Sequence, residues 1–128
     1  MKKSLNYDRL KKIIQEACEQ SGRVKIPELG QMQSFKEALE KAPKPVLFLH
    51  IDKEINPTLP PLIIRGGEGG VKINNEHTIS LFIGPEGGWT EEEAALALQT
   101  GASLVSLGPR VLRSETAAIA ATAIVFNF

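Results

Sequence analysis

Three short stretches of this chain carry residue types that can do chemistry at close range. They are Leu49-His50, Gly84-Pro85-Glu86-Gly87-Gly88 and Gly108-Pro109-Arg110-Val111-Leu112-Arg113. Glycine lacks a Cβ, so its backbone amide can approach a ligand closely, and proline stiffens the turn that presents it. Together the three stretches suit a clamp on a flat, polar-edged group through main-chain hydrogen bonds. Leu49, Ile83, Leu107 and Leu112 would enclose that group as apolar walls. Taken singly, each stretch reads as an ordinary tight turn into a helix, because short glycine motifs recur by chance.

Other chemistries lack their residues. The sequence has no G-x-x-x-x-G-K-[ST] and no G-x-G-x-x-G, which argues against ATP hydrolysis and a dinucleotide-type phosphate loop. His50 and His77 are far apart and Cys18 is the single cysteine, so neither a structural zinc site nor an internal disulfide is expected, and no metal is assigned. A serine-hydrolase elbow, Gly-x-Ser-x-Gly, is also missing.

The elements that must position these stretches follow from apolar spacing. Leu10, Ile13, Ile14, Ala17 and Cys18 recur at helical intervals, and Gly22 supplies a stop. Residues 23–29 contain Val24 and Ile26 and read as a strand edge ended near Pro27. Ser34 and Glu37 have capping-box spacing, opening a second helix with Phe35, Ala38, Leu39 and Ala42 on its apolar face. Residues 46–51, VLFLHI, form a continuous apolar run of the kind buried on both faces of a parallel sheet. Residues 56–61 form a proline-rich connection, and Gly66, Gly67, Gly69 and Gly70 break the next segment into a hairpin or loop.

Residues 78–83, TISLFI, repeat the buried-strand pattern and lead directly into Gly84. Thr90 and Glu93 form a second capping box before a helix over 94–100 that stops at Gly101. A third strand over 102–107 precedes Gly108, and Ser114 is expected to cap a last helix from Glu115 to about Phe126. That helix is apolar on nearly every face, so it should be buried on all sides or lie in a subunit interface. Strand–turn–helix units in this order indicate an α/β fold with a mainly parallel sheet flanked by helices, whose ligands bind beyond the carboxyl ends of the strands.

A length of 128 residues and 42% hydrophobic content fit a single domain, 1–128. No apolar run reaches a membrane-spanning length and the start lacks a signal-peptide pattern, so a cytoplasmic protein with no membrane partner is expected. Net charge is zero, which argues against a free-standing nucleic-acid binder relying on a broad basic field. The first 25 residues nevertheless carry seven basic side chains against three acidic ones. Either a solvated helix face or phosphate contact accounts for that excess.

The two glycine-proline turns occur in an order that carries more information than either alone. IGPEGGWTEEE, a helix, a short strand and then SLGPRVLRSETA closely resemble the C-terminal signature of the bacterial 16S ribosomal RNA (uracil-N3)-methyltransferase family, in the SPOUT superfamily. Upstream, EACEQSGRVKIPEL resembles the helix and E-Q-x-G-R-x-x-x-P pattern of the same family, and Leu49-His50 also fits. The resemblance runs from about Leu10 to Phe126.

This resemblance implies a SPOUT-like fold with a C-terminal deep trefoil knot, working as a homodimer with its site at the subunit boundary. It implies S-adenosylmethionine as cofactor, with adenine against the backbone of Leu107, Gly108 and Leu112. Leu49, His50, Ile83, Gly84, Glu86 and Gly87 would line the remainder. The implied substrate is N3 of a uridine in 16S ribosomal RNA, with Arg110 and Arg113 as the groups that hold uracil oxygens or nearby phosphates. Glu115 would accept the proton, orient an arginine, or simply act as a first-turn acid. Arg23 would reach RNA or the partner subunit, or pair within the fold. Family members also carry an N-terminal RNA-binding barrel and a further strand and helix, neither of which is expected within these residues. A knotted domain that binds cofactor or RNA without turnover is therefore the alternative reading.

Overall fold

The structure, a computed structural model, describes residues 5–50, 78–108 and 110–126. The proline-rich connection and the Gly66–Gly70 segment lie outside the described residues. Two compact units divide the chain, Met1–Ser34 and Phe35–Phe128.

The first unit is built on helix α1, Tyr7–Ser21. Asn6 caps it by accepting the Arg9 amide at 3.0 Å, and Asp8 places an acid in the first turn, where the helix dipole favours it. Gly22 ends the helix at φ 66°, a left-handed conformation that glycine adopts without a Cβ clash. Residues 23–29 do not form the expected strand, and Val24 is fully exposed. A strand needs a neighbour for its amides, Pro27 has none to offer, and the described residues of this unit contain no second strand. Just beyond it, the Met32 amide donates to the Tyr7 hydroxyl of α1 at 2.9 Å.

In the second unit, helix α2 (Phe35–Lys41) precedes strands β1 (Val46–Leu49) and β2 (Ser80–Ile83). Helix α3 (Glu91–Gln99), strand β3 (Ser103–Val105) and helix α4 (Ser114–Phe126) complete it. The three strands form one parallel sheet in the order β2-β1-β3, with Val46 opposite Ser80 and Leu47 opposite Ser103. Because β1 is central, all four of its residues are buried, which is why it reads as an unbroken apolar run.

Alternate residues of β1 feed opposite cores, as the two-residue period of a strand requires. Val46 and Phe48 join Leu39, Ala94, Ala97 and Ala102 beneath α2 and α3. Leu47 and Leu49 join Val105 and Ala121 beneath α4. Phe48 is wholly buried, which contributes on the order of 1.5–3 kcal/mol. The α/β sheet with helices on both faces is the architecture expected from the sequence.

Element boundaries shift at the strand ends. All three strands are shorter than their apolar runs: β1 ends at Leu49, β2 starts two residues late at Ser80, and β3 keeps only Ser103–Val105 of 102–107. Helix α3 begins at Glu91, earlier than expected, because the capping box sets its start. The Thr90 amide donates to Glu93 Oε2 at 2.9 Å and the Glu93 amide to Thr90 Oγ1 at 3.2 Å. Helix α4 presents Ala117, Ala121 and Val125 to the sheet, whereas Ile119 is 71% exposed and Ile124 36%. Its all-round apolar composition is thus half covered by its own chain. No helix among the described residues is long and apolar enough to cross a membrane.

Candidate functional site

A pocket opens at the carboxyl ends of the three strands, where a parallel sheet places its ligands. From the end of β1 it takes Leu49 and His50; from the end of β2, Ile83, Gly84, Pro85, Gly88 and Trp89. From beyond β3 it takes Ser106, Leu107, Gly108, Arg110 and Leu112, and the start of α4 adds Ser114 and Ala117. The pocket encloses about 500 Å³ of empty space, part of it open to solvent.

The β2 turn is shaped by one large side chain. The Trp89 indole N–H donates to the Leu49 carbonyl at 2.9 Å, and the ring stacks on Phe48 at 4.5 Å. A Cβ on Gly84 would lie 2.9 Å from Trp89 Nε1, so the indole can sit there only because residue 84 is glycine. The Gly88 amide donates to the Pro85 carbonyl at 2.9 Å, closing the turn with Gly88 at φ 77°.

The β3 turn is held by serines. Ser106 Oγ donates to the Gly108 carbonyl and accepts the Gly108 amide, both at 3.1 Å. Gly108 has φ 116°, a conformation that side-chain-bearing residues rarely adopt. Ser114 is the first residue of α4, and its hydroxyl donates to the Gly84 carbonyl at 2.9 Å. That bond ties the second turn to the first, a use of Ser114 different from the expected helix cap.

Seven sequence-predicted residues therefore meet around one cavity: Leu49, His50, Ile83, Gly84, Leu107, Gly108 and Leu112, with Arg110 at its edge. Glu86 lies apart from them and lines an open cleft with Val111, Leu112 and Arg113. Leu112 is common to pocket and cleft. Gly87 and Glu115 are exposed and line neither. Arg23 belongs to the first unit, where its Nε donates to the Lys25 carbonyl at 3.0 Å. Arg110, Arg113 and Glu115 form no ion pair with the described residues, whereas Lys12–Glu16 and Lys36–Glu40 pair along exposed helix faces.

Sequence reasoning missed Trp89, Ser106 and Ser114 as pocket residues. Trp89 had a usable signal, being the only tryptophan and standing directly after a glycine pair at a strand end. The serines had none, since a hydroxyl one or nine residues past a strand reads equally well as a turn or cap. His50 is held through its backbone, whose amide donates to the Val105 carbonyl at 3.1 Å. Its Nδ1 is buried without a hydrogen-bond partner among the described residues. An apolar-walled cavity at the carboxyl ends of three parallel strands fits a nucleoside-like ligand. No cluster of three or more His, Cys, Asp or Glu among the described residues is placed to hold a metal.

This site, on this sheet, defines a class: the chain belongs to the RNA methyltransferase domain family, whose model matches residues 1–126. More particularly, it is similar to proteins named ribosomal RNA small subunit methyltransferase E. With that of Synechocystis sp. it is 35% identical over 118 residues, 91% of this chain and 37% of the relative. With that of Rickettsia conorii it is 35% identical over 123 residues, 94% of this chain and 47% of the relative. The crystal structure of the Neisseria gonorrhoeae protein of that name, bound to S-adenosyl methionine, superimposes with a TM-score of 0.69 at 36% identity. That match covers 93% of this chain and 47% of the other. The family resemblance read from the two glycine-proline motifs is thereby borne out, and the chain spans less than half the length of each of these relatives.

Proposed function

We propose that this chain is the cofactor-binding domain of an S-adenosylmethionine-dependent methyltransferase acting on N3 of a uridine in 16S ribosomal RNA. The observation that carries the reading is the convergence of three strand ends and two glycine-proline turns on one apolar pocket. The names and bound ligand of its relatives support the choice of cofactor and RNA.

Leu107, Gly108 and Leu112 hold the adenine, while Leu49, His50, Ile83 and Gly84 enclose the rest. Bound there, the cofactor supplies an electrophilic methyl group on a sulfonium. Glu86 and Gly87 act from the rim, Glu86 on the side of the cleft it shares with Arg113. Uracil N3 is a weak acid that must lose its proton to become nucleophilic. Arg110 and Arg113 stabilise the resulting anion or hold the flanking phosphates, since positive charge aimed at a developing anion lowers the barrier. Glu115 accepts the proton or orients an arginine.

The C-terminal part of the chain carries the deep trefoil knot of the SPOUT fold, and 1–128 act as one domain. A second copy covers the exposed face of α4, giving a homodimer; Ala118, Ile119, Thr122 and Ala123 line a shallow apolar depression there. Arg23 serves RNA. The location is cytoplasmic, where ribosomal RNA is modified. A second reading, a knotted domain that binds cofactor or RNA without turnover, is favoured by the zero net charge, which offers little long-range attraction to RNA.

Calorimetric titration with S-adenosylmethionine and its demethylated product tests the reading. Saturable binding near one site per chain, lost in Gly108→Arg, is expected. A folded sample of the wild-type chain that binds neither compound would overturn the cofactor assignment and the enzyme reading with it. Binding without methylation of ribosomal RNA would select the second reading.

A further inference from the structure

Beside the pocket lies a second opening, the cleft lined by Glu86, Val111, Leu112 and Arg113, with about 700 Å³ of empty space, part of it open to solvent. Two bonds set its walls. The Gly88 amide donates to the Pro85 carbonyl at 2.9 Å and closes the turn on which Glu86 stands. Ser114 Oγ donates to the Gly84 carbonyl at 2.9 Å, holding the stretch that carries Arg113 against that turn. Glu86 and Arg113 are both exposed, and among the described residues neither forms an ion pair, although they line the same cleft. Val111, 69% exposed, adds an apolar surface, and Leu112 is shared with the pocket.

A carboxylate only accepts hydrogen bonds and a guanidinium only donates them. A ligand that satisfies both must carry a donor beside an acceptor, and a flat one can also rest its face on Val111. A lone phosphate does not qualify, because the carboxylate would repel it. Among pyrimidines, uracil presents a ring N–H flanked by carbonyl oxygens, whereas N3 of cytosine carries a lone pair. Unstacked bases of single-stranded RNA are read on this edge. We propose that the cleft seats the target base and that Glu86 selects it, its carboxylate accepting the N3–H of uracil while Arg113 donates to the adjacent carbonyl oxygen. This rests on the uridine assignment above and adds the subsite that receives the base and the residue that distinguishes it. The shared Leu112 puts the base next to the cofactor. Glu115 lines neither opening and does not compete for the contact.

The test is an amide NMR titration of the wild-type chain with uridine, cytidine and 3-methyluridine. These nucleosides carry no phosphate, so a phosphate contact at Arg113 cannot imitate the result. Uridine shifts the amides of Glu86, Val111 and Arg113 saturably. It binds about 10-fold more tightly than either other nucleoside, as for one hydrogen bond to a charged group. Glu86→Gln, whose amide both donates and accepts, brings uridine and cytidine to within about two-fold of each other. Val111→Ser weakens both by about 2–5-fold and keeps the preference, since it removes apolar contact and leaves the reading of the edge intact.

Equal binding of uridine and cytidine to the wild-type chain would overturn the proposal, as would uridine shifts confined to residues outside the cleft, or no binding of uridine. That comparison needs no variant, so a variant that fails to fold does not remove it. The demethylated cofactor is titrated separately, and its failure to bind would overturn the cofactor assignment. The nucleoside preference is measured with the cofactor absent as well as present, so the two failures are told apart.

Discussion

The two glycine-proline turns leave strands on either side of β1 in one parallel sheet and each leads into a helix, yet they are held by different kinds of side chain. The turn after β2 is gripped by side chains: Trp89 reaches back to the Leu49 carbonyl, and Thr90 and Glu93 bond each other's amides. The turn after β3 keeps its polar bonds to Ser106 and Ser114, and presents Arg110, Val111 and Arg113 to solvent. Val111 is 69% exposed. One turn is built as a wall and the other as a presenting edge. A pocket that must hold one ligand firmly while meeting a second, larger one benefits from that division, because the edge can adjust without loosening the wall.

The largest expected effect falls on the edge. Replacing Arg113 or Arg110 with alanine lowers methyl transfer by about 10²–10³-fold, the range for removing one group that stabilises developing negative charge. Urea unfolding of either variant stays within about 0.5 kcal/mol of the parent, as for exposed positions without partners. A comparable fall in stability would erase the distinction between the turns.

The wall responds in the opposite sense. Gly84→Ala pushes a methyl against Trp89 Nε1, a contact of 2.9 Å, and destabilises the fold by about 1–3 kcal/mol. Trp89 is the only tryptophan, so its emission reports the displaced indole directly. An unchanged spectrum and midpoint would mean that the wall yields as easily as the edge.

Removing the cap sharpens the contrast further. Thr90→Ala takes away the acceptor of the Glu93 amide, with an expected loss of about 0.5–2 kcal/mol in thermal unfolding. Ser114→Ala cuts the side-chain bond that, among the described residues, joins the two turns, worth about 0.5–1.5 kcal/mol. Its signature is coupling: cofactor affinity and stability should both move, and the Gly84→Ala and Ser114→Ala effects should not add. Strict additivity would mean that the turns act independently.

Sequence alone located the three strand ends because β1, β2 and β3 each begin in an apolar run and two of them end at glycine-proline. The capping box at Thr90 was legible for a similar reason: both its halves are local, and no tertiary contact has to be guessed. Residues 23–29 misled because an apolar pair such as Val24 and Ile26 announces strand propensity but not the neighbour that a strand needs. Trp89 was hidden by the opposite problem. Its role depends on Leu49, forty positions away in the chain, and on the missing Cβ of Gly84. Glu86 and Gly87 share the motif of Gly84, but a turn rotates successive residues away from one another, and these two are exposed.

The strand order has a kinetic consequence. Val46 pairs with Ser80 and Leu47 with Ser103, so the innermost strand is synthesised first and completed last. Contacts this distant along the chain bring loop-closure entropy before any reward, and parallel pairings of this kind form slowly. A nascent chain that has not yet produced Val105 leaves one edge of β1, its most apolar strand, without a partner. During synthesis the VLFL segment is therefore the stretch of this chain most in need of shelter, and the region that builds the binding wall in the finished protein is its aggregation hazard on the way there.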